Sequence, residues 1–146
     1  MVYTSRTLLE QAFSASAILR LVDDEKAGTI GATALARITA AITQAEHEVN
    51  AYCRKHYLVP FTTTPPIVEK LATDLAGFYL FRRRMAEVGV PDEIKDLRAD
   101  AIKQLEQIAK GLLELGVEPP PASSAAVVAE SSGPDALFTS DTLEDF

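Results

Sequence analysis

The residues that could support nucleophilic catalysis lie on one predicted helix. Cys53 and His56 are three positions apart, a spacing that brings two side chains to the same side of a helix, and His47 precedes them. A thiol and an imidazole would still need a third group to orient the imidazole, and the sequence indicates none. Cys53 also adjoins an apolar stripe, and buried cysteines are common in cores. We therefore predict no catalytic residue and no enzymatic activity.

A second candidate for chemistry is the acidic loop at positions 23–31, which superficially resembles a calcium-binding turn. Counted from Asp23, the fifth and twelfth positions are Ala27 and Ala34, where a calcium loop needs oxygen ligands. One cysteine is also too few for a cysteine zinc cluster or an intramolecular disulfide. We interpret the loop as a solvated turn and expect no metal and no cofactor.

The one basic cluster with neighbouring aromatic residues is Arg82, Arg83 and Arg84. On a helix these side chains spread over about 200°, because an α-helix has 3.6 residues per turn, so no single face presents all three. They can form salt bridges within the domain or to a neighbouring subunit, bind a protein partner, or contact DNA. In the last case the protein would be a DNA-binding or packaging accessory module that also uses Arg54 and Lys55.

Three long amphipathic segments must position these groups, and they predict an all-α bundle. The first runs from Thr33 to His56, the second from Pro66 to a stop at Gly89, and the third from Pro91 to Gly116. The apolar positions of the first are spaced three or four residues apart: Leu35, Ile38, Ile42, Ala45, Val49 and Tyr52. A short helix over residues 5–13, with Thr4, Ser5 or Thr7 as its cap, and one helical turn within residues 14–22 precede them.

The loop between the first two long helices contains several apolar residues, among them Tyr57, Leu58 and Phe61. Pro60, Pro65 and Pro66 prevent this segment from being helical. Its apolar side chains can close the end of the bundle, or they can contact another subunit. We keep both interpretations.

Composition divides the chain into a helical domain, residues 1–118, and an extended acidic arm, residues 119–146. The domain has 14 basic and 16 acidic residues, whereas the arm has five acidic residues and no basic one. A nearly neutral body argues against broad binding to phosphate backbones. The arm cannot bury a core alone, so we predict that it binds a partner through its large apolar residues. These are Leu137, Phe138, Leu143 and Phe146.

No stretch approaches the ~18 consecutive apolar residues of a membrane span, and the N-terminus lacks the pattern of a signal peptide. We expect a soluble protein that is made in the cytosol and does not bind membranes.

Several motifs resemble the neck protein family of Mu-like tailed phages. They are the Leu21 to Asp24 segment after a short helix, Val49-Asn50-Ala51-Tyr52, Tyr57-Leu58-Val59-Pro60, the Pro65-Pro66 helix start, and the aromatic-arginine run from Phe78 to Arg84. The resemblance covers roughly residues 1 to 116. Two positions depart from the family pattern: Leu21-Val22-Asp23 replaces leucine-threonine-aspartate, and His56 replaces an arginine.

The resemblance implies a head-tail adaptor, or head-completion protein, of the virion neck. Twelve copies would form a ring beneath the portal and connect the capsid to the tail. The partners implied are the portal protein and the next neck or tail-completion protein, while double-stranded DNA passes through the lumen without specific binding. The protein would be made in the cytoplasm of the host bacterium.

Overall fold

The computed structural model describes residues 2–117, and all regular secondary structure in that range is helical. The five helices are α1 (Arg6–Phe13), α2 (Ala15–Val22), α3 (Ala32–Cys53), α4 (Pro66–Arg84) and α5 (Asp92–Ala109). The predicted all-α fold with three long helices is confirmed. The predicted arm and its boundary after residue 118 lie outside the described residues.

Helix α4 lies at the centre of the bundle and contacts all four other helices. Every side chain from Leu71 to Ala76 is buried, including those of Thr73 and Asp74. Thr73 donates to the Glu69 carbonyl at 2.7 Å, which satisfies a hydroxyl that would otherwise be costly to bury. Helices α3 and α4 run antiparallel, since Arg37 near the start of α3 and Arg84 at the end of α4 reach the same carboxylate, that of Asp24.

The N-terminal region forms two helices, and the prediction of a single helical turn after residue 13 was wrong. Ser14 has a positive φ of 73°, a conformation that ends α1 and separates it from α2. Its hydroxyl accepts from the Ala17 N–H at 3.3 Å and so caps α2. The cap of α1 is Ser5, which accepts from Leu8, and not Thr7.

All three long helices end earlier than the sequence predicted, and α3 ends at Cys53 instead of His56. Helix α4 ends at Arg84, and one loose turn, closed by a 2.7 Å bond from the Gly89 N–H to the Met85 carbonyl, follows it. Helix α5 ends at Ala109 because Gly111 adopts a φ of 74°, a conformation in which the helix cannot continue. Leu112 is consequently 76% exposed, although the helical pattern predicted it to be buried.

The buried face of α3 agrees with the predicted stripe in the middle of the helix and departs from it by one position at each end, where Ala34 and Cys53 are buried. Ala34 is buried while Leu35 is 47% exposed, so the prediction for Leu35 was wrong. Small residues such as Ala41 and Ala45 let α3 approach its neighbours closely. The larger side chains Ile38, Ile42 and Val49 were predicted correctly as core.

Phe13, at the end of α1, packs directly against Gly77 of α4. An added Cβ at this position would lie 2.2 Å from two carbon atoms of the Phe13 ring. The same ring packs edge-on against Phe81, with 6.0 Å between ring centroids. A glycine is therefore needed here for space, because any side chain would displace the ring.

Candidate interaction surfaces

The arginine cluster at the end of α4 is bound to the loop between α2 and α3. Arg83 forms a bidentate pair with Asp24, at 2.9 and 3.0 Å, and also donates to the Leu21 carbonyl. Arg84 reaches the same carboxylate at 3.1 Å, and Arg37 of α3 at 3.4 Å. The hydrogen bond from Arg83 and the surrounding positive charges lower the pKa of Asp24. Three guanidinium groups therefore converge on one carboxylate.

The other acidic side chains of this loop also have partners inside the domain. Glu25 pairs with Arg37 at 2.9 Å, and this hydrogen bond lowers the pKa of Glu25. The Asp23 carboxylate accepts the backbone N–H groups of Ala27 and Gly28, both at 2.8 Å. The acidic residues thus hold the loop in shape and fix it to α3 and α4. Within residues 2–117, no three acidic, histidine or cysteine side chains cluster so as to hold a metal ion.

Arg82 points away from its two neighbours. Its guanidinium carbon lies 5.9 Å from the centroid of the Tyr79 ring, within the range of a cation–π contact. The Tyr79 hydroxyl donates to Glu48, which also accepts from Arg98 at 3.0 Å. Burial, and then the bond to Glu48, raise the pKa of Tyr79. Arg82 therefore lies apart from Arg83 and Arg84, which share Asp24, so no single face presents all three arginines, as the 100° helical step predicted.

The apolar loop is held by two tyrosine hydroxyl groups. Tyr3 accepts from the Phe61 N–H at 3.0 Å, and Tyr57 accepts from the Leu115 N–H at 3.1 Å. Phe61 is 4% exposed and packs against both tyrosine rings. Leu58, in contrast, is 71% exposed. Phe61 and Tyr57 close the end of the bundle, whereas Leu58 projects from it.

The candidate nucleophile is enclosed by the core. Cys53 is completely buried, and burial raises the pKa of its thiol to about 11, so the thiolate is disfavoured. The imidazole of His56 is hydrogen-bonded through Nε2 to the Ala109 carbonyl at 3.0 Å. His47 lies on the outward face of α3. The three residues therefore lie in different surroundings.

A groove that the sequence did not predict lies between α2 and the end of α4. It has a volume of about 640 Å³ and an apolar floor formed by Ala17, Leu19, Leu21, Phe81 and Met85. Arg20, Lys26 and Arg84 stand along it. The only signal in the sequence is Arg20, a lone charge within an otherwise apolar segment, and it does not indicate a groove by itself.

The predicted partner-binding residues Leu137, Phe138, Leu143 and Phe146 lie outside the described residues. In the part of the chain that the structure does describe, no helix is long and apolar enough to cross a membrane.

Comparison with known proteins gives two matches. A family model described as Bacteriophage Mu, Gp36 matches residues 3–130. A curated relative, the Mu-like prophage FluMu protein gp36 of Haemophilus influenzae, is 26% identical over 82 residues. That alignment covers 56% of this chain and 55% of the relative, so the chain spans about half the length of the curated protein.

Proposed function

The chain belongs to the Bacteriophage Mu Gp36 family, and we therefore propose that it is a head-tail adaptor of the virion neck. Twelve copies form a ring beneath the portal, connect the capsid to the tail, and let the DNA pass through the lumen. The portal protein and the next neck protein are the partners. The role is structural and uses neither catalysis nor a cofactor.

Exposed apolar side chains at both ends of the bundle support this proposal. Leu58 and Leu112, 71% and 76% exposed, lie where α3 and α5 end. Val88 and Leu35, 92% and 47% exposed, lie where α4 ends and α3 begins. A ring subunit contacts its two neighbours through two different patches, so apolar groups on opposite sides suit such an assembly.

The observation that carries the proposal is the position of Leu58. The loop around it is fixed by the hydroxyl groups of Tyr3 and Tyr57 and by the buried Phe61 ring. An apolar side chain presented on a fixed loop loses little conformational entropy when it binds, which favours its use as an anchor. We therefore assign Leu58, with Tyr57 and Phe61 behind it, to a subunit or portal contact.

The environment of the arginine cluster supports passage of DNA without binding. Arg83 and Arg84 are paired with Asp24, so each would have to leave an ion pair to contact a phosphate. Arg54 follows α3 at the other end of the bundle, about 25 Å along the helix from Arg37 at ~1.5 Å per residue. The bases are thus divided between two ends, whereas a DNA-binding module needs them concentrated on one surface.

The proposal is tested with the full chain and portal assemblies isolated from phage heads. We expect electron microscopy of the mixture to show a twelvefold ring of the chain on the portal. Leu58→Asp should weaken this association by roughly thirtyfold, which corresponds to about 2 kcal/mol for an anchor residue. Thr62→Asp is the matched control, since it adds the same charge to an exposed position of the same loop. Equal binding by both variants, or no ring with the unaltered chain, would contradict the proposal.

A further inference from the structure

The groove between α2 and α4, defined above by its apolar floor, has positive charges beside it. Arg20 and Lys26 are both exposed, and within residues 2–117 neither forms a salt bridge. The Arg20 Nε donates to the Ser16 carbonyl at 3.4 Å. Among the described residues that line the groove, Asp23 is the acidic one, and its two carboxylate oxygens accept backbone N–H groups. The groove therefore suits an apolar occupant that carries negative charge.

The sequence of the chain contains a segment with this chemistry. Residues 135–146 combine two leucines and two phenylalanines with four acidic residues, and no basic residue occurs after Lys110. The apolar residues are Leu137, Phe138, Leu143 and Phe146, and the acidic ones are Asp135, Asp141, Glu144 and Asp145. Leucine and phenylalanine side chains match the apolar floor, and the carboxylates match Arg20 and Lys26.

The connecting residues are long enough to bring this segment to the groove of the same chain. Val117 lies beside Leu58 and Phe61, near the start of α4, whereas the groove lies at the end of α4. Helix α4 has 19 residues, so the distance to cover is roughly 28 Å at ~1.5 Å per residue. The 17 residues from 118 to 134 reach about 55 Å when fully extended, at ~3.3 Å per residue.

We propose that residues 135–146 of each chain dock into the groove between α2 and α4 of the same chain while the protomer is free. The covalent connection favours docking of the segment of the same chain over that of a second copy, because a tethered segment has an effective concentration on the order of millimolar. The inference goes beyond the adaptor function, since it concerns the protomer before it meets the portal. Assembly would then withdraw the segment from its own groove to make it available to a partner.

The test is intramolecular crosslinking in the full chain with a short bismaleimide reagent. Ala17→Cys in the groove is combined with Thr139→Cys in the segment, and the buried Cys53 remains in place. The control combines Thr139→Cys with Ala36→Cys, which lies on the outward face of α3. We expect the groove pair to give about tenfold more crosslinked monomer than the control pair, the ratio that ~1.4 kcal/mol of docking produces.

Charge variants test the role of the two cations. Arg20→Glu combined with Lys26→Glu should lower the crosslinked monomer about fivefold, as expected for two exposed ion pairs. Arg54→Glu combined with Lys55→Glu makes the same charge change at exposed positions elsewhere and should leave the yield unchanged.

Equal yields for the groove pair and the control pair would overturn the proposal. So would crosslinked dimers that disappear on dilution, because they would place the segment on a second copy. An unchanged yield in the groove charge variant would overturn it as well. None of these measurements involves the portal. A result that contradicts docking of the segment would therefore leave the proposed adaptor function untouched.

Discussion

The close approach of Phe13 to Gly77 predicts that Gly77→Ala destabilises the bundle, although alanine is the better helix former. In the middle of a helix, alanine is favoured over glycine by about 1 kcal/mol. The added Cβ would lie 2.2 Å from two ring carbons, so the ring would have to move by more than 1 Å to reach van der Waals contact at ~3.5 Å. Phe13 is only partly buried, which lets the ring move outwards at the cost of its packing.

Overpacking of this kind costs about 2 kcal/mol, within the range of 1–3 kcal/mol for inserted methylene groups. After subtraction of the gain in helix propensity, Gly77→Ala should lower the free energy of unfolding by about 1 kcal/mol. In a Phe13→Ala background the ring is absent, so the same substitution should raise the stability by about 1 kcal/mol. The coupling between the two positions is therefore about 2 kcal/mol.

The assay is urea unfolding of the four proteins of this double-mutant cycle, with circular dichroism as the measure of the folded fraction. The packing of Phe13 on Gly77 is supported if Gly77→Ala lowers the free energy of unfolding of the unaltered chain and raises that of the Phe13→Ala variant. If Gly77→Ala stabilises both backgrounds equally, Phe13 does not occupy the space above Gly77 and the described packing of α1 on α4 is wrong.

Four further predictions follow from burial and charge. Leu71→Ala should destabilise by about 2–5 kcal/mol in urea unfolding, whereas Leu112→Ala should stay within about 0.5 kcal/mol. Burial raises the pKa of the Cys53 thiol from 9.0 to about 11. The contribution of the buried thiol to the free energy of unfolding is therefore complete below about pH 9 and is lost as the pH rises to about 11. Cys53→Ala should reduce this loss of stability at alkaline pH. The arginine partners of Asp24 lower the pKa of its carboxyl group, so its contribution to the free energy of unfolding is present above about pH 4 and is lost below that pH. Asp24→Asn should therefore cost about 1 kcal/mol at neutral pH. The same variant should show a weaker dependence of stability on pH in the acid range. Deletion of residues 119–146 should leave the circular dichroism spectrum helical but abolish co-sedimentation with the portal, and retained co-sedimentation would refute a partner-binding arm.

The sequence predicted the helices well where local signals define them. Pro66 begins α4 as expected, and α5 begins at Asp92, one residue after the predicted Pro91, since proline and acidic residues suit the start of a helix. Helix ends were less predictable. The stripe of α5 continues in sequence to Leu115, but Gly111 takes a positive φ and turns the chain before that residue. Leu115 is buried nevertheless, so an apolar residue at helical spacing can reach the core from an irregular segment.

The candidate surfaces depended on contacts between distant residues, which sequence patterns do not reveal. Arg83 and Asp24 are 59 positions apart, and nothing in either local segment indicates the pairing. Leu35 fitted the helical spacing as well as Ala34 did, and only the packing of the folded domain decided which of them is buried. The groove likewise forms only when α2 lies against the end of α4.

The two hydroxyl groups that hold the apolar loop have a consequence for synthesis of the protein. Each joins residues 58 positions apart, Tyr3 with Phe61 and Tyr57 with Leu115. A nascent chain on the ribosome cannot form the second bond until Leu115 has emerged, so the loop is completed only after α5 has been translated. A product that is released earlier would present Leu58 on an incompletely held loop. If Leu58 makes the subunit or portal contact that we propose, copies that end before Leu115 would bind their neighbours less well.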